Sequence, residues 1–195
     1  MTLSQLSPYR LPLALALCVT LIALGGSELS ALFRYDRVAI LHGQVWRLFS
    51  GHLAHLGWSH WGMNIAALAL IWALVGDRFS SRQWQWIFAG LCLTISLGLF
   101  VFNPALTWYV GLSGVLHGML VAGVLADIRS DHRSSSYALL VLIGAKLIWE
   151  QMAGPLPGSE LTAGGAVIID AHLYGGLGGI VFGVLLKPKP SRQQS

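Results

Sequence analysis

This sequence predicts an all-α membrane protein, a bundle of six transmembrane helices, and three observations carry that reading. Hydrophobic residues make up 55% of the 195 and charged residues only 10%, against roughly a quarter charged in an average soluble domain. Six apolar runs approach or reach the ~20 residues that cross a bilayer. Charged or Gly/Pro-containing stretches separate the runs. The same features exclude a nucleic-acid surface. The net charge is +4, but Lys and Arg are scattered between apolar runs rather than gathered on one face. Cys18 and Cys92 lie inside apolar runs and read as small core residues, without disulfide or metal-ligand spacing.

Residues 11–25 form the first run, after Arg10 and before Gly26-Ser27. This shape is shared with a secretory signal peptide, but no Ala-x-Ala site follows and five more spans do, so the run is expected to remain as a helix. Residues 28–52 are too polar to span and read as a long loop at the membrane surface. There Trp46-Arg47 suits a boundary that is dry on one side and wet on the other. Residues 55–76 form the second span, ended by Asp77-Arg78, and residues 84–102 form the third. A loop containing Pro104 leads to the fourth span, residues 113–126, which the charged segment 127–133 closes. Residues 136–153 form the fifth span, 154–165 a Gly/Pro loop, 167–186 the sixth span, and a basic tail follows. The whole of 1–195 reads as one domain.

Six spans place both termini on one side of the lipid bilayer. Arg10, Arg78, Arg82, Arg129, Arg133, Lys187, Lys189 and Arg192 put eight basic residues there. Arg34, Arg37 and Arg47 put three on the other side, and Lys146 lies within a span. The excess marks the terminal side as cytoplasmic and the loop before residue 113 as extracytoplasmic.

The chemistry concentrates at Gly111-Leu112-Ser113-Gly114, where an irregular polar loop becomes an apolar helix. Glycines beside a helix start give a serine nucleophile a rigid seat and open space for its target. The fourth span, with 14 residues, reaches only ~21 Å at ~1.5 Å per residue, short of a ~30 Å hydrocarbon core. Ser113 is therefore expected below the outer surface, at the floor of a water-holding cavity, because irregular backbone at that depth needs protein or water around it.

The candidate base is His172. Gly176, Gly179 and Gly183 lie within about 40° of it on a helix, and a small-residue face lets a neighbouring helix approach closely. Gly114 and Gly118 offer such a neighbour. His60 and Asn64, four residues apart, share one face of the second span and can donate hydrogen bonds to an oxyanion together with the Ser113 N–H. His55 falls at the start of that span and is expected to orient the loop. Asp170 lies two residues from His172, on the wrong side of the helix to orient its ring, and no other acidic partner is evident. A Ser–His dyad is therefore expected. Lys146 and Glu150, four apart in the fifth span, are expected to face each other or the cavity. Reading the flank of a substrate is an alternative role for them. His-Glu-x-x-His is absent.

Gly111-Leu112-Ser113-Gly114, His55…His60…Asn64, Trp46-Arg47 and Ala171-His172-x-x-Gly175, in this order across six spans, resemble the rhomboid family of intramembrane serine proteases. The resemblance covers roughly residues 10–187. It implies Ser113 as nucleophile and His172 as general base. It implies an oxyanion hole of His60, Asn64 and the Ser113 N–H, a lateral gate at the fifth helix or its loop, and no metal or cofactor. Gly-Leu-Ser-Gly-Val-Leu-His-Gly and Asp-Ala-His-Leu-Tyr-Gly are similar to one subgroup, the rhombosortases. That likeness implies a bacterial inner-membrane enzyme with its active site opening to the periplasm. Its substrates would be membrane-anchored proteins with a C-terminal Gly-Gly motif, an apolar helix and a basic end. Many rhomboids carry Tyr four residues after the serine, stacked on the catalytic histidine, where this chain has His117.

Two rival readings are a haem or copper protein using His52, His55, His60, His117 and His172, and a catalytically inactive rhomboid-like membrane binder. The presence of both Ser113 and His172 speaks against the second.

Overall fold

A computed structural model describes residues 7–131 and 134–189. Arg133 and Arg192, which enter the topology count above, lie outside the described residues. The chain is mostly helical: α1 is Arg10–Leu24, α2 Gly26–Phe33, α3 Arg37–Leu41, α4 Arg47–Ser50 and α5 Trp58–Val75. α6 is Ser81–Phe102, α7 Ser113–Asp131, α8 Ser134–Ala153, α9 Ser159–Ala163 and α10 Ile169–Leu185. By length and composition, α5 and α6 can cross a membrane, with mean hydropathies of 1.3 and 1.9. α1 and α10 are shorter apolar helices.

α7 is the axis. Its apolar residues are spread around the whole circumference, and a helix of that kind is stable only when enclosed. Val115, Met119, Ala122, Val124 and Ala126 are fully buried, with α10, α8, α5 and α6 packed around them. α6 starts at a capping box: the Ser80 hydroxyl accepts from the Gln83 N–H, and the Gln83 side chain accepts from the Ser80 N–H. α8 is the least enclosed long helix. Its buried residues are Ser136, Ile143 and Glu150, seven apart, so one narrow stripe holds it to the rest.

Three segments differ from the sequence reading. Residues 28–52 hold most of α2, all of α3 and α4, and strand β1, Tyr35–Asp36, which pairs antiparallel with β2, Trp108–Tyr109. Arg47, expected at a wet boundary, is buried. Its guanidinium donates to the carbonyls of Arg34 at 2.8 Å and Ala31 at 3.2 Å and to Gln44 Oε1 at 2.7 Å, which satisfies the buried charge from within. α5 begins at Trp58, after an extended Gly57, and leaves His55 in the preceding loop. α7 does not stop at residue 126. It has 19 residues, or about 28 Å, so shortness of this helix does not account for a recessed Ser113.

The extra turn of α7 exists because Asp127 is buried in an ion cluster. Arg78, 3% exposed, meets Asp127 at 2.9 Å, Asp77 at 3.1 Å and Asp131 at 2.6 Å. Ser136 on α8 donates a short hydrogen bond to Asp127. Burial disfavours the Arg78 charge, but Asp131, Asp77 and Asp127 outweigh it and hold the guanidinium above its ordinary range. Arg78→Met leaves buried carboxylates without their cation and is expected to cost about 3–5 kcal/mol. The readout is the melting temperature in detergent, and an unchanged value would show that the cluster contributes nothing.

Candidate active site

The loop ahead of Ser113 is pinned at several points. Arg37 donates to the Phe100 carbonyl at 2.7 Å at the end of α6, and its own N–H binds the Thr107 carbonyl at 2.9 Å. The Tyr109 hydroxyl donates to the Gly111 carbonyl at 2.6 Å, and the Gly111 N–H donates to the Gly51 carbonyl at 3.1 Å. His52 is fully buried beneath Tyr109, edge to face at 5.5 Å, with Nε2 at 3.0 Å from Ser96 Oγ. Gly111 has φ +133°, a conformation that L side chains avoid. A Cβ there would also lie 2.9 Å from the His60 ring.

Ser113 is the first residue of α7, so its N–H has no intrahelical partner. Its Oγ lies 2.9 Å from His172 Nε2 on α10. Interlocking glycines make this approach possible. A Cβ on Gly114 would stand 2.7 Å from the Ala171 carbonyl oxygen, and one on Gly118 would stand 2.6 Å from that of Gly175. Cβ atoms on Gly175 and Gly179 would collide with the Gly114 and Gly118 carbonyls.

The His172 ring is held on its remaining sides. His117 stacks on it with centroids 4.3 Å apart and planes 20° from parallel. The His117 Nδ1–H donates to the Ser113 carbonyl at 2.7 Å. Glu150 Oε2 lies 2.9 Å from His172 Nδ1, and Glu150 Oε1 accepts from Lys146 Nζ at 2.7 Å. The sequence reading expected no acidic neighbour for His172, and the structure places one there. Asp170 instead accepts a short hydrogen bond from Asn103, which in turn accepts from the Tyr174 hydroxyl at 2.8 Å.

His60 and Asn64 line the same cavity of about 220 Å³ as Ser113, His117, Lys146, Glu150 and His172. His60 Nδ1 accepts from the Leu56 N–H at 3.4 Å, which leaves the proton on Nε2. The Asn64 amide uses one of its two N–H groups on the His60 carbonyl at 3.0 Å. His55 stays behind the site, its ring edge to face with His60 at 5.0 Å.

His117, Glu150 and His172 bring their ligand atoms within 4.8 Å of one another. Lone pairs of imidazole lie in the ring plane, and two stacked rings do not aim them at one point. The three ligand atoms are therefore close together without converging on one point. Glu150 was visible in the sequence as an acid four residues from Lys146 in an apolar run. Its partner was not, because pairing it with His172 requires the register between α8 and α10.

Residues 42–189 match the rhomboid domain. The rhomboid protease GluP of Bacillus subtilis (strain 168) is 31% identical over 129 residues, covering 66% of this chain and 22% of that protein. The rhomboid-like protease 5 of Toxoplasma gondii is 31% identical over 144 residues, 73% of this chain and 16% of that protein. The matched stretch is thus under a quarter of either relative's length. The domain match alone takes in most of the chain, including every residue gathered around Ser113, and the chain belongs to the rhomboid family.

Proposed function

We propose that this integral membrane protein is an intramembrane serine endopeptidase in which Ser113 is the nucleophile and His172 the general base. The observation that carries the reading is the 2.9 Å approach of Ser113 Oγ to His172 Nε2 beside a cavity lined by hydrogen-bond donors. As Ser113 Oγ bonds to a peptide carbonyl carbon, its proton passes to His172 Nε2. The carbonyl oxygen takes the displaced electron pair and accepts from His60 Nε2–H, Asn64 Nδ2–H and the Ser113 N–H. Nε2–H then protonates the leaving amine as the C–N bond breaks. Water hydrolyses the acyl-enzyme by the reverse roles. This chemistry uses no cofactor.

The long helices α1, α5, α6, α7, α8 and α10 are assigned as six spans, with both termini cytoplasmic. Ser113 opens one end of α7, near Arg34 and Arg37 through β1 and β2. The opposite end gathers Arg78, Arg129, Lys187 and Lys189. There Arg129 donates to the Gly183 carbonyl at 2.6 Å and the Lys189 N–H to the Arg78 carbonyl at 2.8 Å. The basic excess therefore sits away from the serine, as a periplasmic active site in a bacterial inner membrane requires. The rhombosortase-like motifs favour a substrate segment with the smallest side chains. A C-terminal Gly-Gly, apolar helix and basic tail on a membrane-anchored protein has that character.

The test is labelling of detergent-solubilised protein by a fluorophosphonate, beside Ser113→Ala and His172→Ala. Labelling lost in both supports the reading, and labelling that survives Ser113→Ala overturns it. Cleavage of a membrane-anchored reporter ending in Gly-Gly, an apolar helix and a basic tail tests the substrate class against the same reporter with Leu-Leu. His60→Ala and Asn64→Ala are each expected to lower kcat by roughly 10²- to 10³-fold, as loss of one oxyanion donor does, with little change in KM.

A further inference from the structure

We infer that Glu150 is a third member of the catalytic group, an acid on α8 that fixes the tautomer of His172 and stabilises its charged form. The inference rests on the serine-protease reading above and goes beyond the dyad that reading requires.

The geometry is that of an acid–base–nucleophile chain. Glu150 Oε2, His172 and Ser113 Oγ are linked by two contacts of 2.9 Å, one at each ring nitrogen. An ionised carboxylate only accepts hydrogen bonds, so His172 must carry its proton on Nδ1. The lone pair then lies on Nε2, facing the Ser113 hydroxyl, which is the tautomer a general base needs. Among the described residues, Glu150 is the group found at Nδ1 to select that tautomer. When the serine proton moves to Nε2, the ring becomes an imidazolium between stacked His117 and a carboxylate that is 2% exposed. In so dry a setting an adjacent anion has a large effect on that charge. The proton stays on the imidazole and Glu150 remains ionised.

Lys146 explains how a carboxylate persists there. Its Nζ holds the other oxygen at 2.7 Å, so the resting group carries one positive and one negative charge. A lone buried carboxylate would instead be driven to its neutral form. A purely structural pair on a lipid-facing helix would satisfy itself. Here one carboxylate oxygen is turned away from Lys146 and toward the base. Lys146 is therefore a positioning residue.

The experiment measures the second-order rate of fluorophosphonate labelling against pH for the wild type, Glu150→Gln, Glu150→Asp, Lys146→Met, the double variant Lys146→Met/Glu150→Gln, and Ser113→Ala. His172 faces Ser113 and His117 from α7, Glu150 and Lys146 from α8, and His60 across the cavity from α5. Asp170 on its own helix is engaged by Asn103. Removing the anion changes the charge facing the imidazole, so the acid limb of the profile is expected to move. The plateau is expected to fall roughly 10²- to 10⁴-fold in Glu150→Gln, as for loss of the acid in other triads. Glu150→Asp recovers at least about tenfold of that loss, because the charge is kept. The double variant leaves no unpaired charge, so it guards against simple misfolding, and it is expected to be as slow as Glu150→Gln. Lys146→Met is expected to lose less than either.

Rates for Glu150→Gln and the double variant within about threefold of wild type, with an unmoved acid limb, would overturn the inference. So would equal losses in the Gln and Asp variants with a lowered melting temperature and an unmoved limb, which is the pattern of a structural pair. Labelling that survives Ser113→Ala would instead remove the serine-protease reading itself.

Discussion

Ser113→Ala and His172→Ala are each expected to abolish cleavage of a membrane-anchored substrate, with a fall in kcat of roughly 10⁴-fold or more. The double variant is expected to be no worse than either single one. The reason is that, in the proposed mechanism, the two side chains perform one event. Without Oγ there is nothing to accept the acyl group, and without Nε2 the hydroxyl keeps its proton. The proposed oxyanion donors His60 and Asn64 remain in both variants, so substrate binding is expected to change little and KM to stay near wild type. The check is kcat and KM for all three proteins on one reporter. Losses that add in the double variant would mean that the residues act independently, and the direct contact at 2.9 Å would then be incidental.

The second large effect lies at the seam between α7 and α10. Gly175→Ala adds a methyl where the Gly114 carbonyl already stands. Neither atom can yield alone, because both are backbone or fixed to it, so the helices must separate. Overpacking of this kind costs about 1–3 kcal/mol. The same separation pulls His172 from Ser113, and about 1 Å of misplacement can cost roughly 10²-fold in rate. Activity is therefore expected to fall further than stability predicts, which distinguishes this site from a generic packing defect. Gly144→Ala on α8 is the matched control. A Cβ there meets nothing within 4 Å, and replacing a mid-helix glycine is neutral or mildly stabilising. Measuring melting temperature and kcat for both variants makes the comparison. Equal behaviour of the two would show that the close approach does not matter.

These two effects also mark what was legible in the sequence. Ser113 and His172 stand out by local features: a serine between glycines at a helix start, and a histidine on a glycine-striped face. Local pattern suffices there because the stripe itself states that another backbone comes close. Glu150 has no such local mark, since its meaning depends on how α8 lies against α10. Asp127 misled in the opposite direction. A charge at the end of an apolar run reads as the membrane boundary, yet Arg78 and Ser136 complete it inside the protein and α7 continues. The small helices α2 to α4 were missed for a related reason. Their polar groups are satisfied across the fold, as at Arg47 with the Ala31 and Arg34 carbonyls, and a window of sequence shows only the polarity.

The narrow attachment of α8 has a mechanical meaning. Ser113 and His172 ride on two helices locked backbone to backbone, whereas Glu150 rides on a third, fastened along a single edge by Ser136, Ile143 and Glu150 itself. A sideways load on α8 would peel that edge before it strained the glycine seam. On the roles proposed above, a displacement of α8 would part Glu150 from His172 while Ser113 and His172 stay in register on α7 and α10.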